Sequence, residues 1–263
     1  MKQADVMATG FRQAVRDGRT MIGAFIKTAS HQAVELVART GVDFAIIDAE
    51  HAPFDLLTLD RMALAGRGEG LPLLFRPPGL EPSFIGQVLD LGLGGIVAPH
   101  IDSAGAGGRL LDASRYDRGH RGFSPSTRSA GYGAADAAAL RARSDADTSV
   151  WCQIEDAAAL PRLDEIAAVA DVDCLFLGRA DLALSLGVDS PSDPKVVEAV
   201  RATAEAGRRH RRTVGVHVAS TSEIPDLLAL GITVFTCGSD QGWMVAEGRR
   251  VRAGFDAAVG NAV

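Results

Sequence analysis

Short apolar runs alternate with longer amphipathic stretches along almost the whole chain. The runs are MIGAFIK (21–27), FAIID (44–48), LPLLFRP (71–77), GIVAPHI (95–101), SVWCQIE (149–155), CLFLGR (174–179), TVGVHV (213–218) and VFTCG (234–238). Phe44 to Ile47 is apolar at every position, the pattern of a strand buried on both faces. The stretches between them, such as HQAVELVART, PSFIGQVLDLG, AAALPRLDEIAAVA, PKVVEAVRATAEAGRRHR and EIPDLLALG, carry a helical apolar stripe, and most stop at Gly, Asp or Asn. Strand alternating with helix predicts a parallel sheet. Eight such units match a single-domain (β/α)8 TIM barrel spanning residues 1–263. The alternative, an open doubly wound sheet, usually carries a Gly-rich first turn, and here that turn reads KTASHQ.

Two segments stand outside this rhythm. Phe11 and Val15 predict a short amphipathic helix before the first strand. Residues 114–136, SRYDRGHRGFSPSTRSAGYGAAD, form a long Gly/Ser/Arg loop between strands four and five. Its aromatics, Tyr116, Phe123 and Tyr132, favour an ordered loop that makes contacts.

Composition narrows the function classes. A hydrophobic fraction of 47% is ample for a core, and the charge of −6 leaves no basic stripe for nucleic acid. No apolar run reaches the ~18–20 residues of a membrane helix. The first twenty residues contain no signal-type apolar stretch, and Cys152, Cys174 and Cys237 form neither a CxxC nor a zinc spacing. The expectation is a cytoplasmic protein acting on small molecules.

The chemistry of a TIM barrel gathers at the C-terminal ends of its strands. Those ends offer Lys27, then Asp48, Glu50 and His51, then Arg76, His100, Gln153 with Glu155, Arg179 with Asp181, His217, and Ser239 with Asp240. Glu155 and Asp181 follow neighbouring strands, so their carboxylates can converge. Two converging carboxylates need a proton or a cation between them, and a hard divalent ion suits oxygen ligands. A bland reading makes both helix caps, which is compatible with ligation. Arg76, followed by Pro77 and Pro78, is either paired with a carboxylate or free to hold an anionic oxygen. Residues Gly178, Arg179, Ala180 and Asp181 offer successive backbone N–H groups at a helix start, a cradle for a carboxylate.

The motifs IIDAEHAPFD, FRPPG, QVLDLG, QIED and LGRADLALSLG, in this order, resemble the HpcH/HpaI aldolase family of metal-dependent 2-oxo-acid aldolases. The resemblance runs from about residue 20 to 255. It implies Glu155 and Asp181 as ligands of a divalent cation (Mg2+, Mn2+ or Co2+), and His51 as general base with Asp90 raising its basicity. Arg76 would stabilise an enolate oxygen, Asp48 would order Arg76, and Gln153 and the backbone at Ala180 would contact the 2-oxo acid. The implied reaction is aldol addition of pyruvate or hydroxypyruvate to an aldehyde, reversible, with oxaloacetate decarboxylation as a side activity. The resemblance also implies a hexamer, a trimer of dimers with an exchanged C-terminal helix, for which residues 241–260 with Trp243, Val251 and Phe255 are the candidate.

The chain departs from the family pattern at positions that bear on the substrate. Arg179 stands where Pro is common, Phe25 where Trp is common, and His217 where an aliphatic residue is common. Phe123 falls in a loop that reaches a neighbouring subunit's site in the family. Competing functions are a Schiff-base aldolase through Lys27, a citrate-lyase-like enzyme cleaving acyl-CoA substrates, and a non-catalytic barrel that binds a 2-oxo acid or a protein.

Overall fold

The computed structural model describes residues 10–133 and 136–260. Eight parallel strands close into a barrel in sequence order: β1 (Met21–Ile26), β2 (Phe44–Asp48), β3 (Leu73–Arg76), β4 (Gly95–Ala98), β5 (Ser149–Ile154), β6 (Cys174–Leu177), β7 (Thr213–Val218) and β8 (Val234–Ser239). The helices are α1 (Phe11–Arg16), α2 (His31–Arg39), α3 (Leu56–Glu69), α4 (Pro82–Asp90), α5 (Ala104–Ser114), α6 (Ala137–Asp147), α7 (Leu163–Ala168), α8 (Arg179–Ser185), α9 (Pro194–His210), α10 (Ile224–Ala229) and α11 (Asp240–Gly260). The predicted (β/α)8 barrel is therefore the fold.

Strands β3, β4 and β6 are shorter than their apolar runs by two or more residues, for local reasons. Proline removes the ladder N–H just before β3 and just after it, at Pro72 and Pro77. The run 95–101 ends as a strand at Ala98, because Pro99 follows and His100 takes φ of 55°. Gly178 caps α8, so the run 174–179 ends as a strand at Leu177. Helices α3, α5 and α6 lack a clear apolar stripe in the sequence. α5 is rich in glycine, and α6 buries only Leu140.

Two apolar layers hold the barrel. One lies between strands and helices. The other fills the interior with Met21, Phe25, Phe44, Ile46, Leu74, Val97, Trp151, Cys174, Phe176 and Val234. The rings need room: a Cβ on Gly23 would lie 2.6 Å from the Phe44 ring, and one on Gly215 2.8 Å from that of Phe176. α1 closes the foot, where Phe11 meets Phe44 at 5.7 Å and Trp151 at 6.2 Å between ring centroids.

The long loop is ordered over its described part. Arg121 donates to Asp90 at 2.7 Å, Arg128 to Asp60 at 2.7 Å, and the Tyr116 and Phe123 rings meet edge to face. Residues 134 and 135 of the predicted loop lie outside the described residues. Helix α11 buries none of its residues and exposes Met244, Val245, Val251, Phe255 and Val259.

Candidate active site

Asp48 ends β2 with no exposed surface, directly in register with Arg76 at the end of β3. Such a burial is tolerable only with partners. Arg76 supplies two: Nε donates to Oδ1 at 2.9 Å, and Nη2 lies 2.8 Å from Oδ2. Lys27 Nζ adds a third at 3.1 Å, and the His51 N–H donates to Oδ1 at 3.3 Å. Burial pushes the Asp48 carboxyl up, but Arg76 and Lys27 outweigh it and hold its pKa below the usual range. The Arg76 guanidinium also lies 3.2 Å from Glu50 Oε2 and stacks 4.8 Å from the centre of the Phe25 ring. Asp48 thus fixes the fork of Arg76 at the rim.

Glu155 follows β5 and is 1% exposed. Its Oε1 accepts the His100 backbone N–H at 2.9 Å, and its Oε2 accepts from Gln153 Nε2. Burial raises its pKa, Glu50 adds to the rise, and the two hydrogen bonds offset only part of it. It is not a helix cap, since its carboxylate is turned to His100 and Gln153. The His100 ring meets Asp156 through Nδ1 at 3.0 Å and Glu50 through Nε2 at 3.3 Å. Burial lowers the pKa of His100, but Asp156, Glu155 and Glu50 together raise it above the ordinary imidazole value.

A cavity of about 410 Å3 opens beside these groups. Phe25, Lys27, His51, Arg76, Gln153, Phe176, Gly178, Arg179, Ala180, Asp181 and His217 line it. Gly178 leaves its floor open, since a Cβ there would lie 2.5 Å from Glu155 Oε2. His217 Nδ1 pairs with Thr236 Oγ1 at 3.0 Å, and its ring centroid lies 5.5 Å from that of Phe25. Burial, then Arg179, Arg76 and Lys27, depress its pKa and favour the neutral imidazole.

Other expected residues fall differently. Asp90 ends α4, the helix that descends from the rim, and its carboxylate pairs with Arg121. It does not meet His51 within one chain. The His51 ring is half-exposed, with Nε2 3.8 Å from Glu50 Oε2. The Arg179 guanidinium grips the His217 carbonyl at 3.0 and 3.1 Å and Glu223 at 2.8 Å, so its charge is engaged by the protein itself. Phe123 lies outside the cavity, against Tyr116 and under the Arg141 guanidinium. Glu50, expected to be structural or water-ordering, and His100, to which the motifs assign no role, both enter the cluster. Both stand among the strand-end residues that the sequence offers for the rim.

Residues suited to a divalent cation are present. Glu50, His100 and Glu155 each offer a ligand atom within 4.8 Å of the others, and the Gln153 Oε1 acceptor is buried with no hydrogen-bond partner among the described residues. Asp181 stands in the first turn of α8 on the same cavity, three residues after Gly178, and is not one of the three residues whose ligand atoms converge. Clustered carboxylate oxygens, one of them held above its normal pKa by burial, fit a hard cation.

Comparison with known proteins adds a family. Residues 21–246 match the HpcH/HpaI aldolase/citrate lyase family model. The 5-keto-4-deoxy-D-glucarate aldolase of Klebsiella pneumoniae subsp. pneumoniae is 30% identical over 88% of this chain and 91% of its own length. That of Shigella boydii serotype 18 is 28% identical over 92% and 94%. The structure of an HpcH/HpaI aldolase/citrate lyase family protein from Burkholderia cenocepacia J2315 superposes with a TM-score of 0.88 at 27% identity, covering 93% of this chain and 98% of that one. With the barrel, the rim cluster and these similarities in place, the chain belongs to the HpcH/HpaI aldolase/citrate lyase family and is a carbon–carbon lyase.

Proposed function

We propose that the protein is a divalent-metal-dependent aldolase that adds pyruvate or hydroxypyruvate to an aldehyde, reversibly. The observation that carries this reading is the junction of a buried acidic cluster with a fixed arginine fork beside one cavity. Glu155 and Asp181 are the proposed protein ligands, with Glu50 and His100 beside them. A cation bound there supplies Lewis-acid polarisation of the donor's keto group.

The chain's own residues do the rest. Backbone N–H groups around Ala180 and the Gln153 side chain orient the donor's carboxylate and keto ends. Arg76, held by Asp48, presents a preorganised positive charge where the enolate oxygen develops. His51, on the cavity wall, takes a proton from donor C3 in synthesis, and from the C4 hydroxyl in cleavage. Phe25 and Phe176 make the apolar side that keeps water from the carbanion. Oxaloacetate decarboxylation passes through the same enolate and is the expected side activity. Exposed apolar positions on α11 and the outward Phe123 support assembly with further copies, a hexamer in this reading.

A Schiff-base mechanism through Lys27 is disfavoured by its contact. The ammonium is paired with buried Asp48, whereas a lysine that attacks a carbonyl must be a free amine. Borohydride added during turnover of pyruvate separates the two, read by intact mass. The proposal expects no adduct and loss of aldol cleavage on chelation. A trapped pyruvyl mass on Lys27, with cleavage insensitive to chelator, refutes it.

A further inference from the structure

The cavity at the rim commits most of its polar side chains to other groups of the protein. Lys27 is paired with Asp48, Arg76 with Asp48 and Glu50, Arg179 with Glu223, and Gln153 Nε2 with Glu155. His51 keeps its ring half-exposed for proton transfer. His217 lines the same cavity and has no part in that chemistry.

Three contacts fix the His217 imidazole. It stands beside Thr236 in the register of β7 and β8, and its Nδ1 pairs with the Thr236 hydroxyl at 3.0 Å. Thr236 itself has no exposed surface. The Phe25 ring packs against the imidazole at 5.5 Å between centroids, and Arg179 clamps the His217 carbonyl at 3.0 and 3.1 Å. Nε2 has no hydrogen-bond partner among the described residues. It is not one of the sealed polar atoms either, so it opens on the cavity that the residue lines. Its neighbours there are apolar. Gly215, two residues earlier on the same face of β7, leaves room for the Phe176 ring, which a Cβ would meet at 2.8 Å. A fixed polar atom in an apolar wall is costly to leave unmet once substrate displaces water.

We propose that His217 is a specificity-determining residue, its free ring nitrogen hydrogen-bonding a hydroxyl on the carbon beside a substrate's carbonyl. The proposal rests on the aldolase reading above and narrows its substrates to α-hydroxycarbonyl compounds: hydroxypyruvate as donor, or a 2-hydroxyaldehyde as acceptor. Burial, then Arg179, Arg76 and Lys27, keep the ring neutral, so it exerts no ionic pull on a carboxylate. A neutral imidazole presents Nε2 as donor or as acceptor, according to which way the Thr236 bond runs, and a hydroxyl meets either because it both donates and accepts. A site built to bond a hydroxyl rejects the analogue that lacks it.

The test is kcat/KM on substrate pairs that differ by that hydroxyl, for wild type, His217→Leu, His217→Gln and Thr236→Val. Exchange at the donor's C3 compares hydroxypyruvate with pyruvate, and aldol addition of the better donor compares glycolaldehyde with acetaldehyde. Setting each variant's ratio against that of the wild type cancels the intrinsic reactivity of the compounds and any loss of folded protein. In His217→Leu one ratio should fall about ten-fold or more, and His217→Gln, which restores a donor and an acceptor, should recover part of it. A fall in the donor ratio assigns the hydroxyl to the donor, and a fall in the aldehyde ratio assigns it to the acceptor. Thr236→Val, which frees the ring, should lower the same ratio several-fold and is read alone if His217→Leu does not fold. Exchange that proceeds with both ratios unchanged overturns this proposal and leaves the aldolase reading standing. No exchange of either donor by the wild type overturns both.

Discussion

Replacing Asp48 by Asn tests how much the rim depends on one buried carboxylate. The change keeps the shape and removes the charge. Asp48 has no exposed surface and meets Arg76 at 2.8 and 2.9 Å and Lys27 at 3.1 Å. Breaking a buried pair from one side costs ~3–5 kcal/mol. Two features place this case at the low end. Glu50 stays 3.2 Å from Arg76, and the Lys27 side chain, 30% exposed, can turn to water. A loss of about 3 kcal/mol corresponds to a fall in Tm of roughly 6–12 °C for a chain of this size. The sign with pH follows from the lowered pKa of Asp48. Its contribution is present above the ordinary carboxylate pKa of about 3.9 and is lost as pH falls through the folded-state value. The gap between wild type and Asp48→Asn, read by urea unfolding, should therefore be full at pH 7 and close in strong acid. Donor C3 proton exchange should slow ~100–1000-fold, because the Arg76 charge is no longer held in place. A variant within ~0.5 kcal/mol of wild type at pH 7, exchanging at an unchanged rate, would refute the reasoning.

Three further outcomes follow from the same geometry. Glu155 has a raised pKa, so the folded state holds its proton more tightly than the unfolded chain, and stability falls as pH rises through that window. Glu155→Gln should thus melt no lower than metal-free wild type at pH 7, while losing the rise in Tm that Mn2+ or Mg2+ gives the wild type. Gly178→Ala puts a Cβ 2.5 Å from Glu155 Oε2 and should cost ~1–3 kcal/mol by denaturation together with most of the metal affinity; unchanged metal binding by titration counts against the packing argument. His217 has a lowered pKa, so acidification below about pH 6.5 draws protons to the unfolded chain and destabilises the fold. His217→Gln should flatten the stability–pH slope between pH 7 and 5, and an unaltered slope would mean the imidazole is not buried as described.

The barrel was legible because each strand is a predominantly apolar run and a parallel barrel buries both strand faces. Strand ends were less so: proline at 72, 77 and 99 and the left-handed backbone of His100 trim ladders that hydrophobicity alone extends. The Asp48–Arg76 pair was readable from two polar residues ending neighbouring strands. Glu50 and His100 were harder, since their meeting depends on a turn after β2 folding over the end of β4. The role expected for Asp90 asks for a contact that one chain does not contain, and its carboxylate is met by Arg121 from the long loop. The buried Arg12–Asp173 pair was invisible in sequence, because the two residues are 161 positions apart and no motif joins them.

Hydrogen exchange at the donor's C3 tests the central claim most directly, because it reports enolate formation without any acceptor aldehyde. Pyruvate and hydroxypyruvate are incubated with the protein in deuterated buffer and followed by NMR, before and after chelation with EDTA. The account predicts exchange that stops on chelation, returns with Mg2+, Mn2+ or Co2+, and never returns in Glu155→Gln. Exchange that continues undiminished in the ion-free protein, or that Glu155→Gln supports at the wild-type rate, would contradict it.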